Sequence, residues 1–274
     1  MSTFDAINRA YWDKITPIHK TSSYYEYESF QAGNSTLKAV EEEELGDVAG
    51  MSILHLQCHF GLHTLSLERK GAHVVGVDYS EEAIRTATQI RDSSGLKSEF
   101  ICANVYDLPD LIDRRFDIVF TSYGVLYCLA DLDRWARVIA HCLKEDGFFY
   151  IVDIHPLMYM LDEDGERLVE PYFHDSKGRF VADKDARVVP GAGFHADFQE
   201  WSHSLGEIVT AILNAGMSLE FLHEHPFIVY NARKYLVEDG PSRFKIGGAP
   251  HQPPLMFSFK ARLAPTSHNV SVRG

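Results

Sequence analysis

The sequence predicts an α/β fold: a Rossmann-like, doubly wound, mostly parallel sheet with an N-terminal helical cap and a β-rich insertion. Three observations lead there. From residue 52 to residue 155, short apolar runs alternate with helical stretches, the rhythm of βαβ units. The runs SILHLQ, AHVVGVD, EFICAN, FDIVFTS and FFYIVDIH are nearly continuous in apolar residues, as befits strands covered on both faces. After His155 the rhythm breaks, so a different unit is inserted there.

The elements follow in order. Residues 1–45 form a lead-in or lid, rich in aromatics (Phe4, Tyr11, Trp12, Tyr24, Tyr25, Tyr27, Phe30), and end in the acidic run Glu41–Glu44. That run is expected on a solvated helix stopped at Gly46. The core is expected over 46–156. SILHLQ is its first strand, CHFG a turn, and LHTLSLERKG a helix ending at Gly71. AHVVGVD ends at Asp78, and Ser80 N-caps SEEAIRTATQIRDSSG, whose first turn carries acids that favour the helix dipole. EFICAN and FDIVFTS are strands three and four. DLDRWARVIAHCLKEDG is an amphipathic helix closed by Gly147, and FFYIVDIH is strand five. The insertion, 157–203, contains ERLVEPYFHDSKGRFVADKD, expected as a hairpin turned at Ser176–Gly178. In the last segment, 204–274, Ser204 and Glu207 form a capping box for the helix SLGEIVTAILNAG. The runs MSLEFLHEH and LMFSFKARL are antiparallel strands completing the sheet, with a Pro- and Gly-rich loop, 239–254, between them.

Composition narrows the function. The 274 residues carry 26 basic and 39 acidic side chains, a net charge of −13. Binding to nucleic-acid phosphates needs a basic face, so no nucleic-acid partner is expected. No apolar run has the length of a membrane span, so no membrane partner is expected. MSTFDAINRAYWDK lacks the pattern of a secretory signal. Cys58, Cys102, Cys128 and Cys142 form no paired framework, which fits a reducing cytoplasm. A monomer or homodimer is expected.

The most informative stretch is the first strand, its turn and the second strand. Doubly wound sheets bind ligands at the carboxyl ends of their strands, where a tight turn and an acid at the end of strand two receive a nucleotide. Asp78 stands 22 residues after Leu56 and suits the ribose hydroxyls. The turn reads Gln57-Cys58-His59-Phe60-Gly61, with one glycine. A pyrophosphate needs close backbone approach at several points, so a ligand with one ribose and no phosphate fits better. S-adenosylmethionine is such a ligand.

The stretch ILHLQCHFGLHTLSLERKGAHVVGVDYSEEAIRTA resembles the first motifs of class I S-adenosylmethionine-dependent methyltransferases. Their usual turn is close to DLGCGxG. Here His55 replaces the Asp, Gln57 and His59 replace the first two glycines, and Gly61 retains the third. HLQCHFG resembles a variant in a bacterial branch of small-molecule methyltransferases. The resemblance covers residues 50–160 well and the ends more loosely. It implies a methyltransferase acting on a small-molecule acceptor with S-adenosylmethionine as cofactor. It also implies that Asp78 binds the ribose, that Tyr79 lies against the adenine, and that Asn104 and Val105 contact the adenine. The resemblance further implies that the backbone at Thr121 and Ser122 meets the methionine amino group and that the turn Gln57–Gly61 surrounds the methionine part. The alternatives are an NAD-dependent dehydrogenase and a module that binds the cofactor without transferring the methyl.

Methyl transfer is a direct displacement and needs the acceptor atom in line with the methyl group. An acceptor that still carries its proton also needs a base. Tyr123 follows strand four, His155 ends strand five, and His203 and Glu200 precede the capped helix. Tyr123, His155 and His203 are the candidate catalytic residues. Trp12, with His19 and Tyr25, is a candidate lid over the cofactor. His55, His59 and His63 have zinc-ligand spacing only on one continuous helix, whereas they fall here on strand, turn and helix; His223 and His225 share a face of the expected strand, but no third ligand accompanies them. No metal is expected.

Overall fold

The computed structural model describes residues 3–265 apart from 184, 185, 187, 188, 190–192 and 232. Part of the expected 157–203 insertion and the end of the expected 204–274 segment lie outside the described residues.

The chain begins with α1 (Thr3–Thr21), α2 (Tyr27–Gln31) and α3 (Ala39–Leu45). The alternating core follows: β1 (Ser52–Leu56), α4 (Leu62–Arg69), β2 (His73–Asp78), α5 (Glu81–Ser93), β3 (Glu99–Cys102), α6 (Leu108–Leu111), β4 (Phe116–Ser122), α7 (Leu132–Cys142) and β5 (Leu143–Ile154). Then come α8 (Pro156–Met160), β6 (Arg179–Asp183), β7 (Ala196–Glu200), α9 (Leu205–Asn214), β8 (Met217–His225), β9 (Leu236–Glu238), β10 (Phe244–Ile246) and β11 (Met256–Leu263).

Seven strands form one sheet in the order β3-β2-β1-β4-β5-β11-β8. The first five are parallel, and β11 and β8 join antiparallel beyond β5. The order reverses between β1 and β4, so their carboxyl ends open a crevice. Alternate residues supply two cores, as apolar runs with period two require. Leu54, Val75, Val119, Phe149 and Phe257 face Trp135, Ile139 and Ile208 of α7 and α9. Ile53, Val74, Ile118, Tyr150 and Met256 face Leu37, Leu45 and Leu67 of the α3–α4 side.

Local signals act as expected at two helix starts. Ser80 Oγ accepts the Ala83 N–H, and Ser204 and Glu207 complete their capping box. Three expectations are corrected. The helix begun at Leu132 stops at Cys142, not at Gly147, because Leu143 is already extended and Gly147 lies inside β5. A Cβ on Gly147 would meet the Phe116 and Asp117 carbonyls at 2.8 and 3.0 Å, so that glycine serves close strand approach. The hairpin of the insertion pairs 179–183 with 196–200, so its connection lies after residue 183 and not at Ser176–Gly178. The expected loop 239–254 contains β10, which pairs with β9.

The N-terminal helix is fastened to both the core and the insertion. Asp13 accepts from Ser80 Oγ at 2.6 Å and from the Glu82 N–H at 3.1 Å, adding a second acceptor at the start of α5. Asn8 exchanges two hydrogen bonds with the Gln199 backbone, and Tyr11 donates to Asp183 at 2.6 Å. These bonds lay α1 across the carboxyl ends of the strands.

Candidate active site

Two cavities open at the switch point. One, about 930 Å³, lies between the turn after β1, the end of β4 and the N-terminal segment. The other, about 590 Å³, lies over β2, the end of β3 and Trp201. Gln57, Asp78, Tyr79 and Cys128 line both.

The turn after β1 keeps a glycine-type backbone without the glycines. Gln57 has φ 54° and His59 φ 51°, both left-handed, and Gly61 has φ 78°. The left-handed region costs a residue with a Cβ about 1–2 kcal/mol. Gln57 and His59 therefore hold strained backbone, a condition that clusters at functional sites. Gly61 cannot be replaced in the same way, because a Cβ there would sit 2.6 Å from the Phe100 ring.

Asp78 holds this turn. Its Oδ2 accepts the His59 N–H at 2.8 Å and its Oδ1 accepts the Ser80 N–H at 2.9 Å. Burial pushes its carboxyl up to about 6 against these backbone donors. Each oxygen retains acceptor capacity for a further donor.

The imidazoles are linked in a definite order. His19 Nε2 lies 3.2 Å from the Ala186 carbonyl, so that nitrogen carries the proton. His19 Nδ1 then accepts from His59 Nε2–H at 2.9 Å. His59 Nδ1 is left as a bare acceptor, and it is buried without a hydrogen-bond partner. Burial, the largest cause, and the neighbouring His19 hold the His59 ring neutral. Gln57 donates through Nε2 to the Val125 carbonyl at 3.2 Å, while its Oε1 is likewise buried and unpartnered.

Tyr123 repeats the pattern at the end of β4. Its φ is 46°, Gly124 follows at 77°, and its buried hydroxyl has no hydrogen-bond partner. The buried Asp153 carboxylate fixes this bend by accepting the Gly124 N–H and, at 3.4 Å, the Val125 N–H. His63 stands between Ser122 Oγ, 3.2 Å from its Nδ1, and the Tyr230 hydroxyl, 3.4 Å from its Nε2. Burial, helped by Lys38, pulls His63 down to about 3, so it is neutral.

The structure brings together Trp12, Gln57, His59, Gly61, Asp78, Tyr79, Ser122 and Tyr123 around the larger cavity. Asn104 and Val105 line the smaller one with Asp78 and Tyr79. Asn104 also has the structural role of accepting the Tyr106 N–H at 3.1 Å, so its oxygen is already half engaged. Three expected residues lie elsewhere. Thr121 lines neither cavity; its hydroxyl donates to the Leu56 carbonyl inside the sheet. His155 caps α8, accepting the Leu157 N–H at 3.1 Å, and its Nε2 is 3.0 Å from Glu224. His203 donates to the Leu129 carbonyl at 2.7 Å and stacks on His174. Both imidazoles are engaged in holding the chain, outside the shared cavities. Glu200 pairs with Arg179. Among the described residues, no group of three or more His, Cys, Asp or Glu is arranged to hold a metal ion.

Sequence reasoning missed Glu41. The acidic run was expected in solvent, yet Glu41 is fully buried and Glu44 accepts from the Tyr150 hydroxyl at 2.8 Å. The signal was present: Glu41 and Leu45 are spaced i, i+4 on α3, which puts the carboxylate on the apolar face.

Residues 54–151 match the model of a methyltransferase domain. The mitochondrial ubiquinone biosynthesis O-methyltransferase of Bos taurus is 28% identical over 162 residues, which are 57% of this chain and 43% of that protein. The chain thus spans less than half the length of that relative. A Haemophilus influenzae protein described only as uncharacterized is 24% identical over 265 residues, 91% of this chain and 98% of the other. The crystal structure of an S-adenosylmethionine-dependent methyltransferase from Clostridium acetobutylicum has the same fold, with a TM-score of 0.55 at 17% identity, covering 90% of this chain and 94% of that one. Residues 54–151 are thus similar to a methyltransferase domain, and the chain shares its fold with a solved S-adenosylmethionine-dependent methyltransferase.

Proposed function

We propose that the whole chain transfers a methyl group from S-adenosylmethionine to a small-molecule acceptor. The observation that carries this reading is the position of Asp78, where the two cavities meet. A ligand with an adenosine at one end and an amino acid at the other spans such a pair of cavities through its ribose. Asp78 holds the ribose hydroxyls. Tyr79, Asn104 and Val105 line the adenine end. Gln57 Oε1 and His59 Nδ1 are two buried acceptors without donors, and the methionine ammonium is a donor of the right kind. These side chains take over at positions where the related turn has glycines. The HLQCHFG turn thereby supports placement in the small-molecule branch that it resembles.

When bound, S-adenosylmethionine supplies an activated methyl group on a sulfonium centre. The protein orients and seals. Trp12 and Tyr25 of the N-terminal segment line the cavity, and Trp12 lies edge-on to the His59 ring at 5.2 Å. This segment acts as a lid that excludes water from the transfer geometry. The apolar and aromatic lining leaves no basic groove for a polymer, which supports a small acceptor.

Titration calorimetry tests the reading. S-adenosylhomocysteine binds and NAD does not, and methyl transfer to a panel of small acceptors releases S-adenosylhomocysteine. Binding of NAD alone would reverse the assignment.

A further inference from the structure

Behind the cavity wall, Glu41 and Tyr123 make a second buried polar cluster. Tyr123 lines the cavity and Glu41 does not, so the phenol stands between the cavity and the carboxyl. The two groups are neighbours, and each acts on the other's proton affinity. Both Glu41 oxygens and the Tyr123 hydroxyl are buried without partners. A carboxyl so placed is costly to the fold, and three unpartnered polar atoms side by side point to a proton that moves among them. The strained bend at Tyr123, fixed by Asp153, aims this side chain.

The surroundings fit an aromatic acceptor. Tyr24 and Tyr230 line the cavity beside Tyr123, with Tyr24 stacked on Tyr230 at 4.8 Å and Tyr230 edge-on to Tyr123 at 4.9 Å, and Tyr25 and Trp12 add further aromatic wall. Flat apolar walls with a few polar points are suited to a ring carrying a hydroxyl.

We propose that the acceptor is an aromatic hydroxyl compound whose proton leaves through Tyr123 to Glu41. This rests on the methyltransferase reading above. The acceptor oxygen forms its bond to the methyl carbon, and the carbon–sulfur bond breaks with its electron pair remaining on sulfur. The acceptor proton passes to Tyr123 Oη as the Tyr123 proton passes to the Glu41 carboxylate. One sulfonium and one carboxylate are thereby replaced by a neutral thioether and a neutral carboxylic acid. Tyr123 is the catalytic residue and Glu41 the proton acceptor acting through it. An acceptor that is already anionic, such as a thiolate or carboxylate, has no use for the pair.

Several groups set the charge of Glu41. Burial is the largest influence and raises its carboxyl to about 7, while Tyr123, the backbone at Lys38 and Glu41, and the Lys38 ammonium oppose it. Tyr150 of β5 and Tyr230 face it as neutral phenols. A base with this value is half ionised near neutrality, where general bases are most effective.

The test uses the full chain with S-adenosylmethionine and phenol or thiophenol as probe acceptors, read as S-adenosylhomocysteine release. Phenol turnover is expected to rise with pH through about 7 and then level. Glu41→Gln flattens that profile and lowers kcat about 100-fold, with KM for phenol raised in step with its weaker binding; Tyr123→Phe does the same. Transfer to thiophenolate is indifferent to both substitutions. Phenol turnover that keeps its pH profile in Glu41→Gln overturns the proposal. A second measurement needs no turnover: calorimetry of phenol binding to the chain loaded with S-adenosylhomocysteine. Wild type is expected to bind phenol more than tenfold tighter than Glu41→Gln or Tyr123→Phe, and equal binding, or none to wild type, overturns the proposal. S-adenosylhomocysteine binding is recorded in the same runs. Its loss would remove the methyltransferase reading, whereas its presence with phenol indifferent to Glu41 and Tyr123 would remove only the hydroxyl acceptor.

Discussion

At the end of the site proposed for adenosine, Asp78, Tyr79, Asn104 and Val105 stand at or just after the ends of two neighbouring parallel strands, β2 and β3. At the end proposed for the acceptor, Tyr24, Glu41, Tyr123 and Tyr230 arrive from four separate segments of the chain. The first end depends on local backbone: a strand stops, a turn follows, and a carboxylate caps it. The second depends on packing, since each residue gains its role only from neighbours brought in by the fold. One end is therefore suited to a fixed ligand, and the other is free to change with the acceptor.

Gly61→Ala strikes the local end hardest. The substitution adds left-handed strain and a 2.6 Å clash with Phe100, for a loss of about 2–5 kcal/mol of stability. Denaturant unfolding measures it, and a loss below about 1 kcal/mol would show that the turn relaxes freely.

Glu41→Gln probes the packed end through stability. The folded-state value of about 7 lies above the ordinary glutamate value of 4.5, so between these two pH values the folded state holds a proton that the unfolded state has lost. Stability therefore falls as pH rises through that window, by about 3 kcal/mol at 1.36 kcal/mol per unit. Glutamine keeps the volume and removes this contribution. Thermal melts are expected to show the variant above wild type at pH 8 and nearly level with it at pH 4. A variant that melts lower at both would mean that Glu41 has a stabilising partner.

Asp78→Ala is expected to weaken S-adenosylhomocysteine binding by about 1.5–3 kcal/mol, the scale of hydrogen bonds to a charged group. Unchanged affinity in a folded variant would place the ribose elsewhere. The same carboxylate sets a pH dependence. With its value near 6 and the ionised form preferred by ribose hydroxyls, affinity falls about tenfold from pH 7 to pH 5. Asp78→Asn makes that profile flat.

The smallest effect is expected at Gln57. Gln57→Gly relieves left-handed strain but loses the bond to the Val125 carbonyl, so stability changes by less than about 1 kcal/mol. Affinity for S-adenosylhomocysteine falls severalfold, because the unpartnered Oε1 is gone. Tighter binding would show that the side chain obstructs the crevice.

The contrast also explains what could be read in advance. Asp78 and Ser80 were legible because a strand end and a helix cap are written in adjacent residues. Gly147 was misread as a helix stop, since a glycine after an amphipathic helix and a glycine at a strand crossing look alike without the partner strand. His155 and His203 are candidate bases in the sequence because a histidine beside a strand end or a helix cap carries no sign of the Leu157, Glu224 or Leu129 groups that occupy it.

Periodicity and turn chemistry in the sequence determined the parallel sheet, its crevice and the acid at the second strand, because these depend on spacings of a few residues. Only the tertiary structure decided that Gln57, His59 and Tyr123 share a left-handed backbone, and that Glu41 lies dry behind a phenol. Burial and the presence or absence of a partner are properties of the whole packed chain, and no short window of residues contains them.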